Sequence, residues 1–314
     1  MKNKTKYRIR NWRDYNRSLR MRGSLTFWIS EELLDNWIEK DRTGERGASP
    51  CYTEAAILAM VSLKFVFAQA GRQTCGLAAS IFQLMKVSLP VPDHSTLSRR
   101  MAGVEVRLPL RAAGQARHVI CDSTGLKVYG EGEWKVRTHG WQKRRTWRKL
   151  HLQIDEATGE IVVAGASENS MSDDEMFVEM LEANEEDVEQ ISADGAFDRR
   201  KVYRAMEKRK IKRAAIPPRK GARIWRHGNT KGERLIRDEN LRCIRRKGKL
   251  KWKSESNYHR RSLAETGVFR FKTIFTDKLQ SRKIGNQFQE MIIKCAALNR
   301  MTHLGMPDSY KVAA

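Results

Sequence analysis

Three stretches decide the fold: RHVICDSTGLKVYG (Arg117–Gly130), RKLHLQID (Arg148–Asp155) and EIVVAGAS (Glu160–Ser167). In the first, Val119–Cys121 is a compact apolar run that reads as a buried strand. Gly125 then reads as a tight turn, with Leu126, Val128 and Tyr129 as a return strand. In the second, Leu150, Leu152 and Ile154 alternate with polar residues, the period of a strand with one buried face. Ile161–Ala166 is another strand, and EATG (Glu156–Gly159) between the two is a hairpin turn. An acidic helix follows over Ser172–Ala183. Ser172 caps it, and Asp173, Asp174 and Glu175 fill the first turn, where the helix dipole favours negative charge. VEQISADGAFD (Val188–Asp198) gives a short strand ending at Asp194, then a helix over Asp198–Lys210 and a strand over Lys212–Pro218. Strands in a meander, then alternating with helices, specify an α/β fold with a mixed sheet.

Upstream the period is helical. Leu25, Trp28, Leu33, Leu34, Trp37 and Ile38 suggest one helix across Ser24–Lys40, with Ser30 as a cap ahead of Glu31 and Glu32. TGERGASP (Thr43–Pro50) reads as a linker. Three helices follow: one capped near Thr53, one after the Ala70–Gly71 break, and a short one after Pro92 capped by Asp93 or Ser95. The last opens on a hydroxyl-rich turn and ends in Arg99 and Arg100, the form of a recognition helix in a helix-turn-helix module; a plain helical subdomain has the same pattern. Residues 1–23 are basic with interspersed aromatics, either an arm along a phosphate backbone or an ordered packing segment.

The 314 residues carry 61 Lys and Arg against 37 Asp and Glu, a formal charge of +24. An excess of that size predicts a polyanionic partner, nucleic acid ahead of a membrane surface. The longest apolar run, near Ala55–Ala70, is interrupted by Lys64 and too short to span a bilayer, so no membrane is expected. The basic start MKNKTKYRIR lacks the apolar stretch of a secretory signal. Five cysteines without C-x-x-C or Cys/His zinc spacing read as reduced thiols of a cytoplasmic protein.

Chemistry enters through acidic residues. Asp122 and Asp194 each end an apolar run. Either alone is an ordinary turn or cap residue, but strand ends of an open sheet are also where sites form. After Asp122 comes a basic ribbon in which Lys143, Arg144, Arg145 and Arg148 interleave with Trp134, Trp141 and Trp147. Such a ribbon suits nucleic acid, the indoles stacking on bases and the cations neutralising phosphate; packing of the indoles on a sheet edge is the other reading. Arg219–Lys253 is polar and dense in Lys and Arg, an insertion or long loop. Beyond it, NYHRRSLAETGVFRFK (Asn257–Lys272) read as a helix puts Tyr258, Arg261, Glu265 and Lys272 on one narrow stripe. That stripe is either a solvated face with i,i+4 pairing or a carboxylate flanked by phosphate-gripping groups. Three carboxylates on a basic chain suit a hard divalent cation, Mg²⁺ or Mn²⁺, in phosphodiester chemistry. P-loop, G-x-S-x-G and dinucleotide motifs are absent from the sequence.

The spacing Tyr258-(2)-Arg261-(3)-Glu265-(6)-Lys272 resembles the Y-(2)-R-(3)-E-(6)-K signature of bacterial DDE transposases, specifically the insertion sequence 5 family and its insertion sequence 903 branch. CDSTGLKVYGEGEWKVRTHG resembles the first-aspartate block and ADGAFD the second, at gaps of 72 and 71 residues. The resemblance runs from about Arg10 to Gly305. It implies an RNase H-like mixed sheet flanked by helices, with Asp122, Asp194 and Glu265 as the catalytic, metal-binding triad. Tyr258 and Arg261 would grip phosphates near the cleaved end, and Lys272 would support end binding. The implied activity is binding of terminal inverted repeats, cleavage at the ends and joining of the 3′-OH to target DNA, with a homodimer in the synaptic complex of a bacterial nucleoid. A plain metal-dependent nuclease and a non-catalytic DNA-binding derivative of a transposase are the alternatives. The expected organisation is an arm and helix over 1–46, a helical DNA-binding region over 47–116, a catalytic domain over 117–303 with its basic insertion at about 219–256, and a tail over 304–314.

Overall fold

The computed structural model describes residues 6–41, 51–128, 147–227 and 234–312. The chain forms two units, Met1–Pro109 with Ala296–Ala314, and Leu110–Cys295.

In the first unit, β1 (Lys6–Ile9) pairs antiparallel with the last strand, β8 (Ser309–Val312), so the described part of the basic arm is ordered. α1 (Trp12–Met21) follows. The single helix expected over Ser24–Lys40 is instead two short ones, α2 (Leu25–Trp28) and α3 (Glu31–Asp35). Ile29 and Ser30 are extended, and the Ser30 hydroxyl accepts from the Leu33 N–H, so Ser30 starts a new helix rather than continuing an old one. Thr53 caps α4 (Glu54–Val66), accepting from Ala56 N at 3.1 Å. α5 (Gly71–Leu84) turns away from α4 by 111°. Of the two candidate caps for α6 (His94–Arg100), Asp93 takes the role, accepting from Ser95 N at 2.8 Å. Trp37 is fully buried, edge-on to Phe82, and donates its indole N–H to the Pro90 carbonyl.

The second unit is built on a sheet of six strands in the order β4-β3-β2-β5-β6, with β7 on the far part of β2. These are β2 (Arg117–Val128), β3 (Trp147–Asp155), β4 (Ile161–Glu168), β5 (Val188–Ser192), β6 (Arg213–Ala215) and β7 (Lys278–Leu279). β2, β3 and β4 are antiparallel neighbours, whereas β5 runs parallel to β2, and β6 to β5. The hairpin at Glu156–Gly159 forms with Gly159 at φ +69°, a conformation that suits glycine.

The turn expected at Gly125 does not form. β2 is one strand of 12 residues that passes straight through it, pairing Gly125 with Lys149. Trp147 lies over this glycine, and a Cβ there would stand 3.1 Å from its ring. The missing side chain is space for an indole rather than a break in the strand.

One face of the sheet (Val119, Cys121, Ile191, Ala193) packs on α7 (Asp173–Ala183) and α8 (Arg200–Lys208) through Phe177, Leu181, Val202 and Met206. The other face carries α11 (Ser262–Phe275). Between the last parallel strand and α11, the basic segment read as a loop contains α9 (Ile236–Lys247) and α10 (Lys249–Glu255). Its charge is partly internal. Arg237 is buried, forks onto Asp198 (2.7 and 3.3 Å) and stacks 3.7 Å from the Trp225 ring. Such a bidentate, stacked guanidinium holds a buried carboxylate where an ammonium would not. α12 (Ile284–Leu304) begins in this unit, and its residues from Ala296 onward belong to the first. A mixed six-stranded sheet flanked by helices is consistent with an RNase H-like core.

Among the described residues no single helix is long and apolar enough to cross a membrane. The five cysteines are free thiols.

Candidate active site

Strand register brings the two aspartates together. The parallel β2–β5 ladder ends at the pair Ile120–Ser192. Asp122 and Asp194 are each two residues beyond it, so they stand at the same height on adjacent chains. Alternation then fixes the face. Val119, Cys121, Ile191 and Ala193 point into the α7–α8 core, which leaves Ile120, Asp122, Ser192 and Asp194 on the opposite side. His118 and Ser192 meet there, Nε2 to Oγ at 2.8 Å, confirming the shared face. Asp122 is not at the end of its strand, as the sequence suggested, but in the middle, paired with Leu152; it is β5 that ends beside it. Asp194 opens a 3-10 turn (Gly195–Phe197) and accepts from Ala196 N at 2.8 Å. Asp198 anchors that turn's exit through Arg237 and the Arg219 N–H.

Glu265 arrives from above. α11 buries Ala264, Gly267, Phe271 and Phe275, leaving Glu265 exposed on its flank. The helix lies close because residue 267 is glycine: a Cβ there would overlap Cδ1 of the buried Ile154. Sequence reading missed this residue, since a lone glycine inside a helix signals only a weakened helix. Tyr258–Arg261 is a 3-10 turn entered through Asn257 in the left-handed conformation (φ +57°), not the first turn of an α-helix. In a 3-10 turn residues i and i+3 eclipse, so Tyr258 and Arg261 still share a stripe.

These groups feel one another. Arg261 Nη2 is 2.5 Å from Glu265 Oε1. Burial pushes the Asp122 carboxyl above its ordinary value, against the Ser123 N–H and Arg261 and together with Asp194 and Glu265. Burial opposes the Arg261 charge, but Tyr258, Glu265 and Asp122 outweigh it and hold the guanidinium more firmly protonated than usual. The Tyr258 hydroxyl is raised by burial, with Asp194 and Glu265 adding to the shift while its contacts to Arg261 oppose it. Its ring rests on Trp252 at 5.8 Å. Asp122, Asp194, Glu265, Tyr258 and Arg261 therefore form one site, with Lys272 about 10 Å along α11 from Glu265.

Among the described residues no three His, Cys, Asp or Glu side chains close on a common point as metal ligands. The donor set nevertheless fits a hard divalent cation: three carboxylates, Asp122 and Asp194 half-buried and Glu265 exposed beside them, hold an excess of negative charge that a cation relieves.

The remaining sequence candidates are scattered in role. Arg100 donates to the Tyr52 carbonyl, whereas Arg99 is exposed and donates within α6 to the Ser95 carbonyl and the Thr96 hydroxyl. Trp147 packs on Gly125, and Arg148 donates to Gln287 at 3.0 Å. Lys143, Arg144 and Arg145 lie outside the described residues.

Fold and site together define a carboxylate-based site on a mixed α/β sheet. Family comparison gives that class its name. A transposase DDE domain matches residues 20–131, and a second model of the same description matches 113–300, well over half of the chain. The protein belongs to the DDE transposase family. Members act on DNA in transposition and generally depend on a divalent metal.

Proposed function

We propose that this protein is a transposase of the insertion sequence 5 type, in the insertion sequence 903 branch. It binds the terminal inverted repeats of its element, cleaves at the ends and joins the freed 3′-OH to target DNA. The observation that carries this reading is the register of Asp122 and Asp194 on one face of the parallel β2–β5 pair, beneath the helix that bears Glu265.

Asp122, Asp194 and Glu265 would hold Mg²⁺ or Mn²⁺, which supplies activation of the attacking oxygen and stabilisation of the leaving one in an in-line displacement. The chain's own groups do the rest. Arg261 exchanges its bond to Glu265 for a DNA phosphate, a bidentate partner suited to a guanidinium. The Tyr258 hydroxyl, protonated throughout the physiological range, donates to a neighbouring phosphate oxygen. Lys272 neutralises charge farther along the strand. The helices α4–α6, with Arg99, serve inverted-repeat recognition in a helix-turn-helix-like manner, and Lys143, Arg144 and Arg145 contact the DNA backbone. Two copies hold the two ends together in the nucleoid of a bacterial cytoplasm.

A labelled inverted-repeat end incubated with the protein, Mg²⁺ and a plasmid target tests this. Joined product is expected. Cleavage without joining would make the protein a plain nuclease, and a mobility shift without cleavage a DNA-binding derivative. Asp122→Ala, Asp194→Ala and Glu265→Ala should each abolish joining, by about 10³-fold or more, in line with loss of a transition-state electrostatic contact, while leaving end binding in place. Retained joining in any one would remove that residue from the site.

A further inference from the structure

We propose that Gln190 and Asn240, two amide side chains outside the carboxylate site, are positioning residues that hold Tyr258 in place. The inference rests on the transposase reading, in which the Tyr258 hydroxyl meets a phosphate. It gives the helical segment before that tyrosine a role other than contact with DNA.

Tyr258 needs holding because of how the chain reaches it. α10 stops at Glu255, and the backbone turns left-handed at Asn257 (φ +57°) before the 3-10 turn that carries Tyr258 and Arg261. A helix end leaves its last carbonyls without partners inside the helix. The turn has little packing of its own, since none of its four residues is buried. The ion pair of Arg260 with Glu156 lies at the surface, where such pairs are worth little.

Two links to the sheet supply what the turn lacks. The first comes from β5. Gln190 is buried, and its Nε2 donates to the Ser256 carbonyl at 2.8 Å, two residues before Tyr258. By alternation Gln190 shares a face with Ser192 and Asp194, so the strand that leads to one carboxylate of the site also fixes the entry to the tyrosine turn. The second comes from β6. The Tyr258 ring lies 5.8 Å from that of Trp252, the planes 35° apart. Trp252 is 2% exposed, so it is a wall for Tyr258 rather than a surface for DNA. Its indole N–H donates to Asn240 Oδ1 at 3.1 Å, and Asn240 Nδ2 donates to the Ala214 carbonyl at 2.7 Å, on the edge strand of the sheet. Asn240 thus accepts on one side and donates on the other, which neither an aspartate nor a leucine can do. Both links start from neighbouring rungs of the parallel β5–β6 ladder, where Gln190 pairs with Arg213 and Ile191 with Ala214. Any one of these bonds is an ordinary way to satisfy a buried polar group. Their convergence on one side chain is not, and it ties Tyr258 to the strand that sets the height of Asp194. A hydroxyl that meets a phosphate must keep its place relative to the carboxylates, since a misplacement of about 1 Å can cost about 10²-fold in rate.

The test uses the full-length protein and has two readouts. The first needs no DNA. Burial raises the Tyr258 hydroxyl above its ordinary value of about 10, and the tyrosinate absorbance of the parent minus that of Tyr258→Phe follows this one tyrosine. Gln190→Met, which keeps the shape and drops the donor, and Asn240→Leu should each bring the titration back toward about 10. Trp252→Phe, which keeps a ring beside Tyr258 and loses the bond to Asn240, repeats the Asn240→Leu arm with a smaller change. Leu241→Ala, a core change in the same helix as Asn240, should lower the melting temperature and leave the titration where it is. A titration that neither amide variant moves overturns the proposal, and so does one that Leu241→Ala moves as far. The second readout is cleavage of inverted-repeat ends. Tyr258→Phe should lower it about 10- to 150-fold, the range for a hydrogen bond to a charged group. Gln190→Met and Asn240→Leu should each lower it about 5-fold or more in the parent, and less than about 2-fold on top of Tyr258→Phe. Equal losses in both backgrounds mean a structural role alone and overturn the proposal. If the parent cleaves no end while the titration shifts as expected, the two amides do hold Tyr258 and it is the transposase reading that fails.

Discussion

Two side chains in the second unit are governed by where they sit rather than by what they are. Arg261 is a counter-ion shared among several groups: it pairs with Glu265 at 2.5 Å, and Tyr258 and Asp122 also act on its charge. On the proposed function, a phosphate entering the site would compete for a guanidinium that is half-buried and oriented by Glu265, so part of its hydration is already removed. His151 is the opposite case. It is buried in β3, bonded through Nε2 to Ser167 Oγ at 2.8 Å. Burial pushes its imidazole down to about 4, against Asp173 and together with Lys149. The folded protein keeps His151 neutral while the unfolded chain binds a proton near its ordinary value of about 6.5, so stability falls as pH drops from about 6.5 towards 4 and levels off below. A shift of this size corresponds to about 2–3 kcal/mol between pH 7 and 4.5. Urea titrations at the two pH values should show the parent losing about that much more than His151→Gln, which carries no titrating group. Parallel losses would mean that the imidazole is charged in the folded state.

At the scale of elements, the approach of α11 to the sheet is set by one missing atom. In Gly267→Ala the new methyl would overlap Cδ1 of Ile154, a side chain buried under the helix, and overpacking of this kind costs about 1–3 kcal/mol. Relief comes by lifting α11, which carries Glu265 away from Asp122 and Asp194. Gly267→Ala should therefore lower both melting temperature and end cleavage, and adding Ile154→Val, which removes the colliding carbon, should restore much of both. Additive losses in the double variant would sink the explanation. The same pair illustrates what a sequence reveals about elements and what it hides. Caps at Thr53, Asp93 and Ser172, the β3 alternation and the Tyr258–Lys272 spacing are local patterns, and local patterns can be read. Gly125 and Gly267 cannot be interpreted alone, because the first is defined by Trp147 across the ladder and the second by Ile154 beneath the helix. Asp122 reads as a strand end because the apolar run stops there, yet β2 continues on ladder bonds to β3 that leave no mark in its own residues. In residues 236–255, Lys and Arg obscured the helical period because Arg237, the buried member, turns its charge inward to Asp198. The convergence of Asp122 with Asp194 was legible only as two acids after two apolar runs; their common height needed the register.

For the whole molecule the governing quantity is the surplus of 24 positive charges. Several cations are bound internally, among them Arg117 to Asp155 and Glu186, Arg237 to Asp198, and Lys294 to Glu290. Each of these pairs cancels an acid as well, so they leave the surplus intact for the surface. Binding to DNA of any sequence should then be driven by counterion release, with log K falling linearly in log salt. If 6–10 phosphates are neutralised, affinity for a random duplex falls about 10³- to 10⁵-fold between 50 and 200 mM salt. Base-independent contacts and site contacts can be separated by the same measurement. On the proposed function, Arg261→Gln and Lys272→Gln should each reduce the slope by about one on inverted-repeat ends, where a phosphate would reach the carboxylate site, and leave it unchanged on a random duplex, which lacks the inverted-repeat sequence. Fluorescence anisotropy across a salt series measures both. A random-duplex slope shallower than about −2 would mean that the surplus charge does not meet a phosphate backbone. An equal slope change on both DNAs would mean that Arg261 and Lys272 belong to the general basic surface rather than to the site.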